Sequence, residues 1–351
     1  MNGECSRNPQ QDAEAEVEMI GEVLSAMVYY ERHAADKFRK QAKSLRCLDH
    51  ADRIALGPAL SEHLKAALKC AAENQKLFDH IINCGRVIFD DNSNYISAMN
   101  GLKEGKVPTE HYLSKARSTL KQITRDWSEE GREERESCYN RVIEAMRTLY
   151  PNKAERPHVN TLKHQFTIYP YVLDFSNCWT YSDALRPVKI PDVDPSTQLD
   201  NESRQNSFSM CAGDFTSAFD AHDSIFDNVV TVFFLDTAAN PFKYIQNIKK
   251  ILKPGGRWIN FGPLTYHFED SEDDSIELPF DILLQQIERY SFEIEIVEEN
   301  RDLPSYYTRN KRSMLGYQYN CGFFQARLKT EEDSGRNAEA TEENQDLEWQ
   351  C

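Results

Sequence analysis

Residues 229–261 read VVTVFFLDTAANPFKYIQNIKKILKPGGRWINF, and this stretch decides the fold class. Residues 229–235 form a continuous apolar, β-branched and aromatic run, the pattern of a strand buried on both faces of a parallel sheet. Over residues 241–252 a helical period places Phe242, Ile245, Ile248, Ile251 and Leu252 on one side. Lys253-Pro254-Gly255-Gly256 then stops the helix and turns the chain, and residues 257–261 return as the next strand. Strand, helix and strand with short connections make one β-α-β crossover unit, so the chain is α/β.

Downstream, residues 280–290 read as a further helix. Phe292, Ile294 and Ile296 alternate with charged neighbours as in a half-buried strand, and residues 317–326 supply a last strand. This ending fits a hairpin closing the edge of a mostly parallel sheet. Upstream, the first ~150 residues read as all-helical, a packing, oligomerisation or capping region. Ile20, Val23, Leu24 and Met27 form one stripe. Gly57-Pro58 punctuates the chain before a second helix carrying Leu60, Leu64, Ala67, Leu68, Ala71, Phe78, Ile81 and Ile82. Residues 101–108 read as a loop, and a third helix starts near Ser114. After a break at residues 128–131 a fourth carries Tyr139, Val142, Ile143, Met146 and Leu149 until Pro151. The expected organisation is a disordered 1–13, a helical region 14–155, an α/β domain 156–328 and an acidic disordered tail 329–351.

The formal net charge of −16 disfavours binding to a phosphate backbone and tolerates a neutral or cationic small substrate. No apolar run is long enough for a transmembrane helix, and the first residues lack the pattern of a signal peptide. The nine cysteines are odd in number and contain no C-x-x-C, against a disulfide framework or a structural zinc. Reduced thiols fit the cytoplasm or the nucleus.

Six strings occur in order: LKQITRDWSEEG (120–131), IPDVDP (190–195), FSMCAGDF (208–215), FFLDTAAN (233–240), ILKPGGRWINFGPLTYHFE (251–269) and SIELPFDIL (275–283). Together they resemble the carnosine N-methyltransferase family of class I S-adenosylmethionine-dependent methyltransferases, from about residue 16 to 328. The resemblance implies a Rossmann-like sheet behind the N-terminal helical region. It also implies transfer of a methyl group from S-adenosylmethionine to an imidazole nitrogen of carnosine, giving anserine. A neutral imidazole, with its ordinary pKa of ~6.5, is already a nucleophile near pH 7, so the protein has mainly to place and orient the two partners. By the same resemblance Gln122 and Arg125 lie at the methionine end of the cofactor, where an amide and a guanidinium suit a carboxylate. Asp214 and Phe215 lie at the adenine. Asp236, His267 and Tyr319 contact the substrate, with the Asp236 carboxylate suited to the cation that forms. Each has an ordinary structural alternative: a solvated helix arginine for Arg125, a loop after a strand for Asp214, a helix N-cap for Asp236, a structural side chain for His267. The implied partner is a histidine-containing dipeptide, with no nucleic acid, membrane or metal, and a homodimer could form through the helical region.

The chain also departs from that family. Class I methyltransferases hold the cofactor with a glycine-rich loop after the first strand, because the backbone must turn tightly and approach the ligand. Between Gly131 and Gly213 there is no glycine. A family member would carry a strand, its loop, a helix and an acidic second strand near Val159-Asn160, a span of about 45 residues. The sheet is therefore expected to be incomplete, lacking its first strands. Three readings follow: a methyltransferase of carnosine and related dipeptides, a truncated or splice form of that enzyme acting only by binding, and a helical interaction protein with an unrelated α/β tail.

Overall fold

The computed structural model describes residues 9–102, 107–151, 165–192, 214–269, 274–299, 304–330 and 333. The chain forms two compact units, neither continuous in sequence. Unit 1 is Met1–Arg132, His158–Gln198 and Thr308–Gly316, and unit 2 is Glu133–Pro157, Leu199–Tyr307 and Tyr317–Cys351.

Unit 1 contains α1 (Pro9–Val28), α2 (Tyr30–Ser44), α3 (His50–Ile88), α4 (Ser93–Gly101) and α5 (Glu110–Trp127). It adds a small antiparallel ribbon of β1 (Phe166–Ile168) and β2 (Val188–Ile190). The first turn of α1 lies inside the segment 1–13 expected to lack order. Tyr30, Phe38, Phe78, Leu120, Ile168 and Val172 form a shared core of helices and ribbon. Burying each such side chain contributes roughly 1.5–3 kcal/mol. Asn74, fully buried, ties α3 to the ribbon. Its Nδ2 donates to the Tyr30 hydroxyl at 3.0 Å and to the Tyr169 carbonyl at 2.9 Å, while its Oδ1 accepts from the Tyr169 N–H at 2.7 Å.

Two sequence expectations change here. Gly57-Pro58 does not separate two helices, because α3 runs through both. The residues around Pro58 are almost all exposed, so the carbonyl that the proline leaves without a donor can be hydrated. The third helix begins at Glu110 rather than near Ser114. Its C-terminus is closed by a 3-10 turn, Glu129–Gly131, where a Cβ on Gly131 would lie 2.1 Å from the Arg125 carbonyl oxygen.

Unit 2 is built on a mixed four-stranded sheet of β3 (Phe226–Val232), β4 (Leu252–Gly262), β5 (Phe292–Glu299) and β6 (Gly322–Leu328), in the order β3-β4-β6-β5. β3 and β4 are parallel, and β6 is antiparallel to both β4 and β5. Alternate side chains serve opposite faces. On one face Trp258, Phe292, Phe324, Ala326 and Leu328 pack with Ile245 and Ile248 of α8 (Pro241–Ile251) and Leu283 and Ile287 of α9 (Phe280–Arg289); the short α7 (Tyr181–Ala184) belongs to unit 1. On the other face Ile259, Phe261 and Phe323 pack with Cys138, Val142 and Ala145 of α6 (Arg132–Leu149). α6, the last helix of the all-helical region, thus packs on the sheet.

The mixed α/β class agrees with the sequence, but the strand ends differ. β3 stops at Val232 rather than Leu235, is only half-buried, and leaves Val230 43 % exposed. Among the described residues it pairs with β4 alone, so it is an edge strand, and most of its residues are partly buried or exposed rather than buried on both faces as expected. Lys253-Pro254-Gly255-Gly256 is a bulge inside β4: Leu252 pairs with Phe226 and Arg257 already with Asn228, and Gly255 takes a φ of +78°. The last strand starts at Gly322, and Tyr319 precedes it in an isolated bridge to Ser305.

Candidate active site

The carboxyl end of β3 is shaped by one close crossing. Phe233 has a φ of 51°, which ends the strand, and its N–H donates to the Phe261 carbonyl at 2.9 Å. Glycine on the neighbouring β4 strand suits this crossing, since a Cβ on Gly262 would sit 3.0 Å from the Phe233 nitrogen and push the two backbones apart by a few tenths of an ångström. The chain then enters a short 3-10 turn, Leu235–Thr237, which places Asp236 just beyond the strand, where open α/β sheets bind ligands. Asp236 is 2 % exposed.

Asp236 is held on one side. Its Oδ2 accepts from the Thr265 N–H at 3.0 Å and from the Thr265 hydroxyl at 2.6 Å. Its backbone carbonyl accepts from the His267 N–H at 2.9 Å. Asp236 therefore does not act as a side-chain cap; Asn240 caps α8, accepting from the Phe242 N–H at 3.0 Å. Tyr266, between Thr265 and His267, has a φ of 33° and donates its hydroxyl to the Leu278 carbonyl at 2.7 Å. His267 has an exposed side chain.

Tyr319 is half-buried and edge-on to Phe233, with ring centroids 5.7 Å apart. Burial and then the Asp236 charge raise its phenol above the ordinary value. Burial pushes the Cys321 thiol up to about 12. Around Asp236 these groups stay neutral at ordinary pH, and a buried carboxylate in such surroundings favours a cationic partner.

Asp214 and Phe215 lie beside an aromatic group. Phe234 stacks on Tyr244 at 5.0 Å, and Phe215 meets both edge-on at 5.1 Å. Asn247 of α8 donates to the Phe215 carbonyl. Asp214 is exposed. Its Oδ1 accepts from the Thr216 N–H at 2.7 Å and from the Thr216 hydroxyl, while its Oδ2 accepts from no described residue. An acceptor beside aromatic rings fits an adenine with its exocyclic amine.

Gln122 and Arg125 sit three residues apart on α5, on one helix face, and both are half-buried. The Arg125 guanidinium engages Asp126 through Nε to Oδ1 at 2.8 Å and Nη2 to Oδ2 at 3.0 Å. Five of the seven residues singled out in the sequence thus fall in unit 2, around the carboxyl end of β3 and the start of α8, and two fall on α5 of unit 1. Thr265 escaped the sequence reading. Its role depends on a chain crossing from residue 236 to 265, and no pattern of residue types marks such a contact.

The profile of the carnosine N-methyltransferase family matches residues 102–162 and 158–330. The two segments meet where the sequence reading places the missing span. A mouse carnosine N-methyltransferase is 31 % identical over 371 residues, covering 93 % of this chain and 90 % of its own length. A fission-yeast (Schizosaccharomyces pombe) carnosine N-methyltransferase is 31 % identical over 375 residues, covering 90 % and 97 %. A Drosophila melanogaster carnosine N-methyltransferase, unmet, is 28 % identical over 410 residues, covering 99 % and 88 %. These spans exceed the 351 residues of the chain, so the relatives carry residues with no counterpart here.

Proposed function

The chain belongs to the carnosine N-methyltransferase family and is a methyltransferase of that family, and from that premise we propose that it methylates the imidazole of carnosine or a related histidine-containing dipeptide, giving anserine or its counterpart. S-adenosylmethionine would supply the methyl group. Asp214 and Phe215 would hold its adenine, and the family resemblance assigns Gln122 and Arg125 to its methionine carboxylate, in a chain that has no glycine between Gly131 and Gly213 for the usual cofactor loop. Asp236, His267 and Tyr319 hold the substrate.

The observation that carries this reading is the buried Asp236 carboxylate, fixed through Oδ2 and lying past the end of β3. An imidazole gains positive charge as it takes up a methyl group, and a preorganised carboxylate in a poorly solvated site stabilises that charge. Oδ1 accepts from no described residue and remains for the ring N–H. The Tyr319 phenol, raised by burial, stays protonated through neutral pH and can donate to the dipeptide. His267, with an exposed side chain, adjoins the same group through its N–H bond to the Asp236 carbonyl.

The test is methylation of carnosine by the purified chain, with the product identified by mass spectrometry. The expected product is carnosine carrying one added methyl group, with Asp236→Asn lowering kcat/KM by about a hundredfold at unchanged melting temperature. A folded chain that binds carnosine yet never methylates it overturns the reading and favours a member of the family that acts by binding.

A further inference from the structure

We propose that Thr265 is a positioning residue that pins one oxygen of Asp236, so that a single oxygen meets the substrate and selects which imidazole nitrogen is methylated. This rests on the reading above, in which Asp236 contacts the ring.

Both donors of Thr265, its N–H and its hydroxyl, converge on the same atom, Oδ2, at 3.0 and 2.6 Å. Bonds to an ionised acceptor are short and strong, and two from one residue fix the rotation of the carboxylate as well as its place. The Thr265 side chain is exposed and has water available, yet it turns to the buried acid. The loop behind it is fixed independently. The His267 N–H closes on the Asp236 carbonyl at 2.9 Å, and Tyr266 holds an unfavourable backbone conformation because its ring is buried and its hydroxyl is tied to Leu278.

A neutral imidazole carries one N–H and one lone pair, and the hydrogen bond made by the N–H decides which nitrogen stays nucleophilic. A freely rotating carboxylate offers two acceptors and accommodates the ring in two orientations. With Oδ2 occupied, Oδ1 alone receives the N–H, and one nitrogen is left facing the methyl donor. Selection of the ring nitrogen would then rest on a side chain that need not touch the substrate.

The experiment compares the wild-type chain with Thr265→Val, which keeps the shape and the N–H but loses the hydroxyl, and Thr265→Ser, which keeps both donors. With carnosine, T265V is expected to lower kcat/KM about tenfold and to yield both ring-nitrogen isomers, separated by chromatography, while T265S keeps the wild-type rate and isomer. A wild-type isomer ratio and rate in T265V overturns the proposal. A second measurement needs no turnover: the 13C chemical shift of the Asp236 carboxyl in the ligand-free chain at neutral pH, assigned with Asp236→Asn. Loss of the hydroxyl donor to Oδ2 moves this resonance in T265V, and T265S returns it. An unmoved resonance overturns the proposal even if no substrate is turned over. Failure of the wild type on carnosine alone overturns only the assigned substrate. Should T265V not fold, Thr265→Ala is read in the same two ways.

Discussion

Individual residues carry contacts whose loss can be measured. Asn74 makes three hydrogen bonds inside a packed core, two of them to the backbone of Tyr169. Asn74→Ala leaves that N–H without its partner and the carbonyl with the Val172 N–H alone, at 3.3 Å, and a chemical denaturation curve should record a loss of about 1–3 kcal/mol. His63 gives a pH signature. It is buried with its ring stacked on Tyr181 at 4.1 Å, and its Nδ1 has no hydrogen-bond partner among the described residues. Burial holds its pKa below the ordinary 6.5. The folded form therefore binds its proton less readily than the unfolded chain, so this contribution to stability is present above 6.5 and is lost as the pH falls through the folded value. His63→Phe should flatten the fall of melting temperature on the acid side of 6.5 without altering the plateau above it. His33, also lowered mainly by burial, leaves a smaller slope behind. Composition could not separate these two from the other histidines, because burial is a property of the packed core.

At the level of elements, periodicity found α8 and α9 to within a residue, since Ile245, Ile248, Ile251, Leu283 and Ile287 are both apolar and core-facing. It failed where local preference and environment parted. Pro58 is a strong breaker, yet α3 passes through it on an exposed stretch. There the proline costs a hydrogen bond and returns nothing visible, so Pro58→Ala should raise the stability of unit 1 by about 1–3 kcal/mol, read as a higher melting temperature. The opposite holds at Gly131. A methyl group there meets the Arg125 carbonyl, so Gly131→Ala should displace the last turn of α5 and lower helicity and thermal stability together. The run at residues 229–235 was a strand by composition, but its far end was decided by the crossing of Phe233 with Gly262, a contact between residues almost thirty apart. The order of matching strings made Asp236, His267 and Tyr319 candidates. The clamp by Thr265 became visible only in three dimensions.

Over the whole molecule, the α/β class was legible from one crossover unit, whereas the interleaving of the two units was not. Hydrophobic pattern shows that α6 buries Val142, and is silent on which layer receives it. The cysteines report the same division between surface and core. Cys47 is exposed, and Cys138 and Cys321 are buried with the Cys321 thiol pushed up to about 12. Iodoacetamide on the native protein should modify Cys47 within minutes and reach Cys138 and Cys321 only after denaturant is added, as read by peptide mass spectrometry. No helix among the described residues is long and apolar enough to cross a membrane.

The sheet order bears on how the chain is made. β6 is the last described strand to be synthesised, yet it lies between β4 and β5 and holds them together. Until it leaves the ribosome, β5 has no neighbour in the sheet, and Trp258 lacks the edge-on contact with Phe324. Unit 1 waits in the same way for Thr308–Gly316. Neither unit is complete before these segments emerge, and a stop codon between residues 299 and 322 would leave β5 without a neighbour and β4 with one raw edge that only chaperones could shield.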